Sequence, residues 1–310
     1  MNKSSFPESP DINRRKFIGN SIRSAGALTM LGLSSYTSAE RASVNRSYTV
    51  QDIMNLILNE GNLSPLKETV DTLKFGKPDQ VVTGIITTMF PTVPIIEEAA
   101  RLKANFIIAH EPSFYNHNDH ADWVKNNSVL KEKHALLAKH KIAIWRFHDY
   151  CHSLKPDAIS YGVAKKANWL SYYKTGQVTL TIPTISFSDL TSHLQKKLKI
   201  PHLRTIGDPD QPCQKIALLP GAWGGQRQVG TAETERPDVL IVGESPEWET
   251  VEYIRDARAF GRKISLIVLG HAVSEEPGME WFTEWFQPKL PEIKITHIMD
   301  THSQQIHLQL

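Results

Sequence analysis

The sequence predicts an α/β protein, because short apolar runs alternate with amphipathic segments along most of its 310 residues. Residues 106–109 form an apolar run that is too short for a helix and is typical of a buried strand. Residues 92–103 place apolar side chains at helical spacing, and residues 81–87 read as a strand before them. A strand, a helix and a second strand in this order favour a parallel sheet.

The same alternation continues to the end of the chain. Thr49 is suited to cap a helix over residues 49–58, because its hydroxyl can accept a hydrogen bond from the first helical turn. Further helices are predicted at residues 128–139, 158–167, 189–198, 249–261 and 278–286. Further strands are predicted at residues 142–147, 178–182, 215–219, 238–244, 264–269 and 293–298.

Composition is that of an ordinary globular protein, with 40% hydrophobic and 22% charged residues. The first 39 residues contain five basic and two acidic side chains, which leaves 30 basic and 31 acidic residues in the remainder. A nearly neutral chain without a basic stripe gives no support for nucleic-acid binding.

Residues 1–39 have the features of a twin-arginine-type signal peptide. Arg14 and Arg15 precede a lysine and two apolar residues, an apolar region covers residues 25–33, and small residues follow at 37–39. A basic tail without a targeting role is the alternative. The signal predicts a periplasmic or exported protein, and no later segment is long and apolar enough to predict a membrane partner.

Polar side chains that can bind metal follow several predicted strands. His110 and Glu111 come directly after the strand at 106–109, and His148, Asp149 and His152 follow the next predicted strand. Ligands usually bind outside the carboxyl ends of the strands of an open α/β sheet, and imidazole and carboxylate groups are metal ligands. Solvated loops and helix caps are the alternative interpretation.

Two later strands end in the same kind of residue. Glu244 ends the strand at 238–244, and His271 follows the strand at 264–269. His271 and Glu275 are four residues apart, so a helical turn would place both on one face. The four strand ends together predict a crevice centred on metal.

Two other features are ambiguous. The glycine-rich residues 220–225 predict a tight turn rather than a phosphate cradle, because phosphate-loop spacing and its lysine are missing. Cys151 and Cys213 could form a disulfide in an oxidising compartment, or the Cys151 thiol could approach the metal.

The sequence resembles the Nif three-like (NGG-one-interacting factor three) dinuclear metal-centre family from about residue 50 to residue 298. The resemblance rests on Gly84, residues 94–103, residues 107–112, Gly243-Glu244 and the segment from Gly270-His271 to Glu275. It implies two α/β lobes with mixed sheets around an interlobe metal site, and a homo-oligomer, often a hexamer. The expected organisation is a signal at 1–39 and a two-lobed unit at 45–310. Its lobe boundary is expected near 170–180, and a return of its C-terminal part to the first lobe is an open alternative.

The resemblance also implies a ligand set. His110 matches the first histidine of the family's His-His-Pro motif, and Glu111 stands where the second histidine is expected. His271 matches the late histidine ligand, and Glu275 matches the glutamate that can bridge both ions.

The last family ligand is an aspartate placed four residues after a histidine that ends a strand. His152 occupies that position here, so either His152 or Asp149 is expected to complete the set.

These features predict a metal-dependent hydrolase that acts on a small-molecule substrate with a phosphoester, amide or cyclic C–N bond. Two divalent ions are expected, zinc first, with iron or manganese as alternatives. Glu275, Glu244 and His148 are the candidate catalytic residues, and Tyr115 and Trp145 the candidate pocket lining. A non-catalytic periplasmic metal scaffold or store is the second hypothesis. GTP cyclohydrolase chemistry is a third, which export disfavours because the periplasm holds little GTP.

Overall fold

The computed structural model describes residues 47–299, and the predicted signal at 1–39 lies outside these residues. The described strands are Leu73–Phe75 (β1), Ile85–Thr88 (β2), Phe106–Ala109 (β3), Ala143–Arg146 (β4), Thr179–Ser186 (β5), Arg204–Ile206 (β6), Pro212–Leu219 (β7), Val239–Val242 (β8), Ser265–Val268 (β9) and Ile295–His297 (β10). The described α-helices are Val50–Glu60 (α1), Val93–Arg101 (α2), Ser128–His140 (α3), Asp149–Ser153 (α4), Ala158–Lys166 (α5), Phe187–Leu198 (α6), Gly225–Glu235 (α7), Glu252–Ala259 (α8) and His271–Phe286 (α9).

The predicted α/β class is confirmed, and the described strands form two mixed five-stranded sheets. The first sheet has the order β1-β4-β3-β2-β10, in which only β1 is antiparallel to its neighbour. The second has the order β5-β7-β8-β9-β6, with antiparallel edge strands β5 and β6. The last strand, β10, therefore belongs to the first sheet although the second sheet precedes it in the chain.

The predicted parallel unit is present as β2, α2 and β3. The core strands are buried on both faces, as expected for parallel strands covered by helices, and each sheet has its own apolar clusters. Thr49 caps α1, and its side chain and that of Asp52 form a reciprocal capping box, which confirms the predicted start of that helix.

Several predicted boundaries differ from the structure. Strand β2 begins at Ile85 rather than residue 81, because Val81 makes only an isolated bridge to Thr49. Helix α8 is preceded by a π-helical turn at Glu247–Val251. The helical turn considered for residues 271–275 and the helix predicted at 278–286 form one continuous helix, α9.

The two cysteines are free and buried, and they lie in different apolar clusters. The suggested disulfide is therefore wrong. Burial raises the pKa of the Cys151 thiol well above its ordinary value, so the thiol stays protonated. Within residues 47–299, no helix combines the length and the apolar character needed to cross a membrane.

Helices α5 and α9 pack with their backbones in close contact at two glycines. A Cβ atom on Gly162 would lie 2.3 Å from the Pro277 carbonyl oxygen and 2.5 Å from the Gly278 Cα. A Cβ atom on Gly278 would lie 2.6 Å from the Ile159 Cα. Backbone atoms cannot move aside as a flexible side chain can, so this crossing requires glycine on both helices.

We expect Gly162→Ala to lower the free energy of unfolding by about 1–3 kcal/mol, the usual cost of overpacking. Gly230→Ala is the matched control, because Gly230 is also inside a helix but is exposed, and its added Cβ would contact nothing within 4 Å. The control should raise stability by about 0.5–1 kcal/mol through helix propensity. Urea unfolding followed by circular dichroism measures both, and equal effects of the two substitutions would contradict this packing.

Candidate metal centre

One cavity of about 510 Å³ is lined by side chains from three of the four predicted strand ends. Glu244, at the fourth strand end, is bonded to His271 but does not line this cavity. The segments that follow β3 and β4 of the first sheet contribute one wall. The loops and helices that follow β7 and β9 of the second sheet contribute the other. The lining residues are Glu111, His117, His148, His152, Asp157, Ala222, Trp223, Arg227, His271 and Glu275.

Glu111 lies at the centre of this arrangement. Its Oε1 atom is 3.4 Å from the Nε2 of His271, 3.6 Å from that of His148 and 3.9 Å from that of His110. Its Oε2 atom faces the guanidinium of the fully buried Arg146 at 3.4 Å. Arg146 therefore leaves one oxygen of Glu111 directed at the imidazoles.

Glu275, on the helix that follows β9, approaches two of these imidazoles. Its Oε2 atom is 3.1 Å from the Nε2 of His271 and 3.5 Å from that of His110. Helix α9 begins at His271, so His271 and Glu275 are on adjacent turns and share a face, as their spacing predicts.

Each imidazole of the group has an oxygen acceptor at Nδ1, so that Nε2 is the nitrogen that faces the carboxylates or the cavity. The acceptor is the Phe147 carbonyl for His110 (3.2 Å), Asp149 for His148 (2.9 Å), Asp157 for His152 (3.2 Å) and Glu244 for His271 (2.9 Å). Metal-binding histidines usually have such a partner, because it fixes the tautomer and the ring orientation.

The buried Nε2 of His110 makes no hydrogen bond with any residue in the range 47–299. Leaving a buried polar atom without a partner is costly, and this one points towards two carboxylates. Two sets of side chains bring their ligand atoms within 4.8 Å of one another: His110, His148 and His152, and His110, Glu111 and Glu275. The donor set and the unpartnered nitrogen fit a divalent cation.

The electrostatics of the group favour ionised carboxylates. Burial alone would raise the pKa of Glu111 and Glu275, but the imidazoles of His110 and His271 outweigh it and lower both values. Burial alone would lower the pKa of His271, but its bonds to Glu111 and Glu275 raise it to about 11. Burial and the neighbouring His110 lower the pKa of His148 to about 4. Metal binding to His271 would therefore release a proton.

Some predicted residues occupy positions other than those expected. The Asp149 carboxylate is in neither ligand group, because it accepts hydrogen bonds from Thr69 Oγ1 (2.7 Å) and the Val70 amide (3.1 Å) and orients His148. His148, predicted to orient ligands or transfer protons, belongs to a ligand group itself. Glu244 Oε1 contacts Nδ1 of His271 at 2.9 Å, a position from which it can orient that ring.

The two aromatic residues predicted to line the pocket do not line it. Trp145 is fully buried in the core of the first sheet, where its Nε1 donates to the Asp71 carbonyl at 3.3 Å. Tyr115 is half exposed and packs beside Lys133.

Sequence reasoning missed three supporting residues. Asp71 accepts hydrogen bonds from the amides of His148 and Tyr150, both at 2.8 Å, and so fixes the turn into α4. Arg146 holds Glu111, and a charged residue inside an apolar strand was a signal that could have indicated it. Asp157 holds His152 in addition to capping α5.

Comparison with known proteins shows the family. The model of the Duf34/NIF3 (NGG1p interacting factor 3) family matches residues 49–305, and the chain belongs to this family. The predicted resemblance is therefore confirmed.

Two named relatives are described as GTP cyclohydrolase 1 type 2 homologs. The one from Clostridium acetobutylicum is 25% identical over 246 residues, which cover 75% of this chain and 87% of the relative. The one from Mycoplasmopsis pulmonis is 34% identical over 201 residues, which cover 63% of this chain and 74% of the relative.

Solved structures share the fold. Staphylococcus aureus protein SA1388 matches with a TM-score of 0.63 and 19% identity, over 81% of this chain and 96% of that chain. Reduced HcgD from Methanocaldococcus jannaschii matches with a TM-score of 0.59 and 17% identity, over 81% of this chain and 98% of that chain.

The glycine-rich turn after β7 packs against the side chain of Glu275. Gly221 has φ +78°, and a Cβ atom there would lie 2.0 Å from Glu275 Oε1. Gly224 has a nearly equal φ of +76°, but its added Cβ would contact nothing within 4 Å. Substitutions at the two glycines would both strain the backbone, but only the one at Gly221 would also displace Glu275. Comparing them therefore distinguishes the two effects.

We expect Gly221→Ala to reduce zinc uptake strongly, because Glu275 must move, whereas Gly224→Ala should lose some thermal stability but keep zinc uptake. Equilibrium dialysis against zinc and thermal unfolding of both variants test this expectation. Equal zinc uptake by the two variants would mean that the contact between Gly221 and Glu275 does not matter for the centre.

Proposed function

We propose that this protein is a metal-dependent hydrolase with two divalent ions bound around Glu111 and Glu275. The observation that carries the proposal is the orientation of His110, His148, His152 and His271, each held at Nδ1 by an oxygen so that Nε2 is the nitrogen left to bind a cation. In His271 this nitrogen contacts Glu275 Oε2 at 3.1 Å, and a bound cation would replace that contact. Divalent ions bound there would acidify water and stabilise negative charge on a phosphoryl or carbonyl oxygen.

The arrangement of donor atoms supports the proposal of two ions. Because Nδ1 of His110 is occupied by the Phe147 carbonyl, its Nε2 can bind one ion only, although it belongs to both ligand groups. We assign Glu111 and Glu275 as the carboxylates that serve both ions, since each approaches two or more imidazoles. Imidazole and carboxylate donors suit zinc, with iron and manganese as alternatives.

The other side chains have supporting roles in this proposal. Glu244 is exposed and bonded to His271, so it can orient that ring and exchange protons with solvent. Asp149 and Asp157 orient His148 and His152. We assign His148 to ion binding rather than to proton transfer, because its ring stacks on His110 with centroids 4.7 Å apart.

Elemental analysis of protein purified without added metal tests the ion site. We expect two equivalents of divalent metal in the parent and a large loss in His110→Ala and in His271→Ala, because each removes a nitrogen donor. His140→Ala is the matched control, since His140 is exposed at the end of α3 and should leave the metal content unchanged. A folded parent that contains no metal would rule out the proposal.

Turnover tests the hydrolase assignment separately. We expect the metal-loaded parent to release product from a panel of phosphoesters, nucleotides and amides, including GTP, and Glu275→Gln to abolish that release because a neutral amide cannot serve both ions. The relatives' names as GTP cyclohydrolase homologs are the reason to include GTP. Tight metal binding without turnover of any substrate would favour a non-catalytic metal scaffold or store.

Export and assembly are separate parts of the proposal. Arg14 and Arg15 with the apolar region that follows support twin-arginine export to the periplasm. Family resemblance supports a homo-oligomer, which light scattering of the purified protein would test.

A further inference from the structure

Among residues 47–299, Arg227 is the one arginine that lines the cavity of the candidate metal centre. It is an exposed residue in the first turn of α7, with its guanidinium stacked on the Trp223 ring, 3.6 Å from the centroid. The Trp223 Nε1 donates to the Pro220 carbonyl at 2.6 Å, which fixes the indole against the turn after β7. The indole therefore restrains the guanidinium beside the cavity.

The guanidinium has no carboxylate partner within 4.0 Å in the part of the chain that the structure describes. The three carboxylates that line the cavity are engaged elsewhere: Glu111 with Arg146, Asp157 with His152, and Glu275 with His271. Most other arginines near the surface are paired, such as Arg204 with Glu247 and Arg255 with Glu252. Arg227 thus keeps its hydrogen-bond donors available.

On the proposed function, this position places a permanent cation in the same cavity as two divalent ions. Like charges repel, and the repulsion is relieved when an anion lies between them. A phosphoryl group suits this position better than a carboxylate, because its three oxygens can contact both ions and still leave one for the guanidinium. Arginine matches phosphate geometry with paired N–H donors.

We propose that Arg227, held by Trp223, binds the phosphoryl group of the substrate, so that the substrates are phosphate esters. The inference rests on the proposed function, because the ions supply the other contacts to the phosphoryl oxygens. Arg227 is then a specificity-determining residue, and neutral amide substrates would not use it.

Isothermal titration calorimetry of the metal-loaded protein with inorganic phosphate tests this inference. We expect Arg227→Ala to weaken phosphate binding about tenfold or more, the usual effect of losing a hydrogen bond between charged groups. Arg227→Lys should recover part of the loss, because it restores the charge but not the paired donors. Trp223→Ala should give an intermediate loss, because the guanidinium remains but is no longer held.

Arg255→Ala is the matched control, since it removes the same charge from an exposed helix outside the cavity and should leave phosphate binding unchanged. Acetate is the carboxylate control. If acetate bound as tightly as phosphate and depended equally on Arg227, the phosphoryl assignment would be wrong.

Metal content is measured on the same samples, so that two failures are distinguished. A parent that takes up no metal contradicts the proposed function and this inference with it. A metal-loaded parent that does not bind phosphate, or binds it equally well after Arg227→Ala, contradicts the inference alone.

Discussion

Two carboxylates buried at one point, Glu111 and Glu275, set the constraint on which the rest of this structure depends. A buried ionised carboxylate is unfavourable unless cations or hydrogen-bond donors surround it. Here Arg146 holds one oxygen of Glu111, and the imidazoles of His110, His148 and His271 surround the other. The imidazoles of His110 and His271 also lie beside Glu275 Oε2. These are also the side chains that a divalent cation would bind.

The fold meets this constraint by drawing ligands from both sheets. Strand β3 ends one residue before His110, and β4 ends two residues before His148. Strand β9 leads through a glycine with φ +99° into the helix that begins at His271. Helix α5 follows Asp157, and its close crossing with α9 at Gly162 and Gly278 keeps the segment that orients His152 near the helix that carries Glu275. Tight backbone packing thus fixes the relative positions of the ligands.

Local patterns predicted the parts of the centre that depend on one element. The end of β3 predicted His110 and Glu111, and the four-residue spacing predicted that His271 and Glu275 share a helix face, because both follow from the period of the element. The sequence pattern did not predict which way the side chains of strand β4 point. Trp145 and Arg146 are adjacent in β4, and the sequence alone does not tell which of them faces the core and which faces Glu111.

Other features depend on contacts between distant segments. Asp149 orients a histidine because Thr69 and Val70 bind its carboxylate, and that segment precedes the three-residue strand β1, which is too short to leave a pattern. Helix α7 was missed because its residues are mostly polar or glycine, without an apolar stripe. Helix α9 runs without a break through Pro277 and Gly278, residue types that usually interrupt helices, and Gly278 makes the close contact with α5.

Anomalous diffraction from crystals of protein purified without added metal tests the central claim most directly. The account predicts two metal peaks at Glu111 and Glu275, one beside His110 and one beside His271. A map without peaks at these residues, or with peaks only at exposed histidines such as His140, would contradict it.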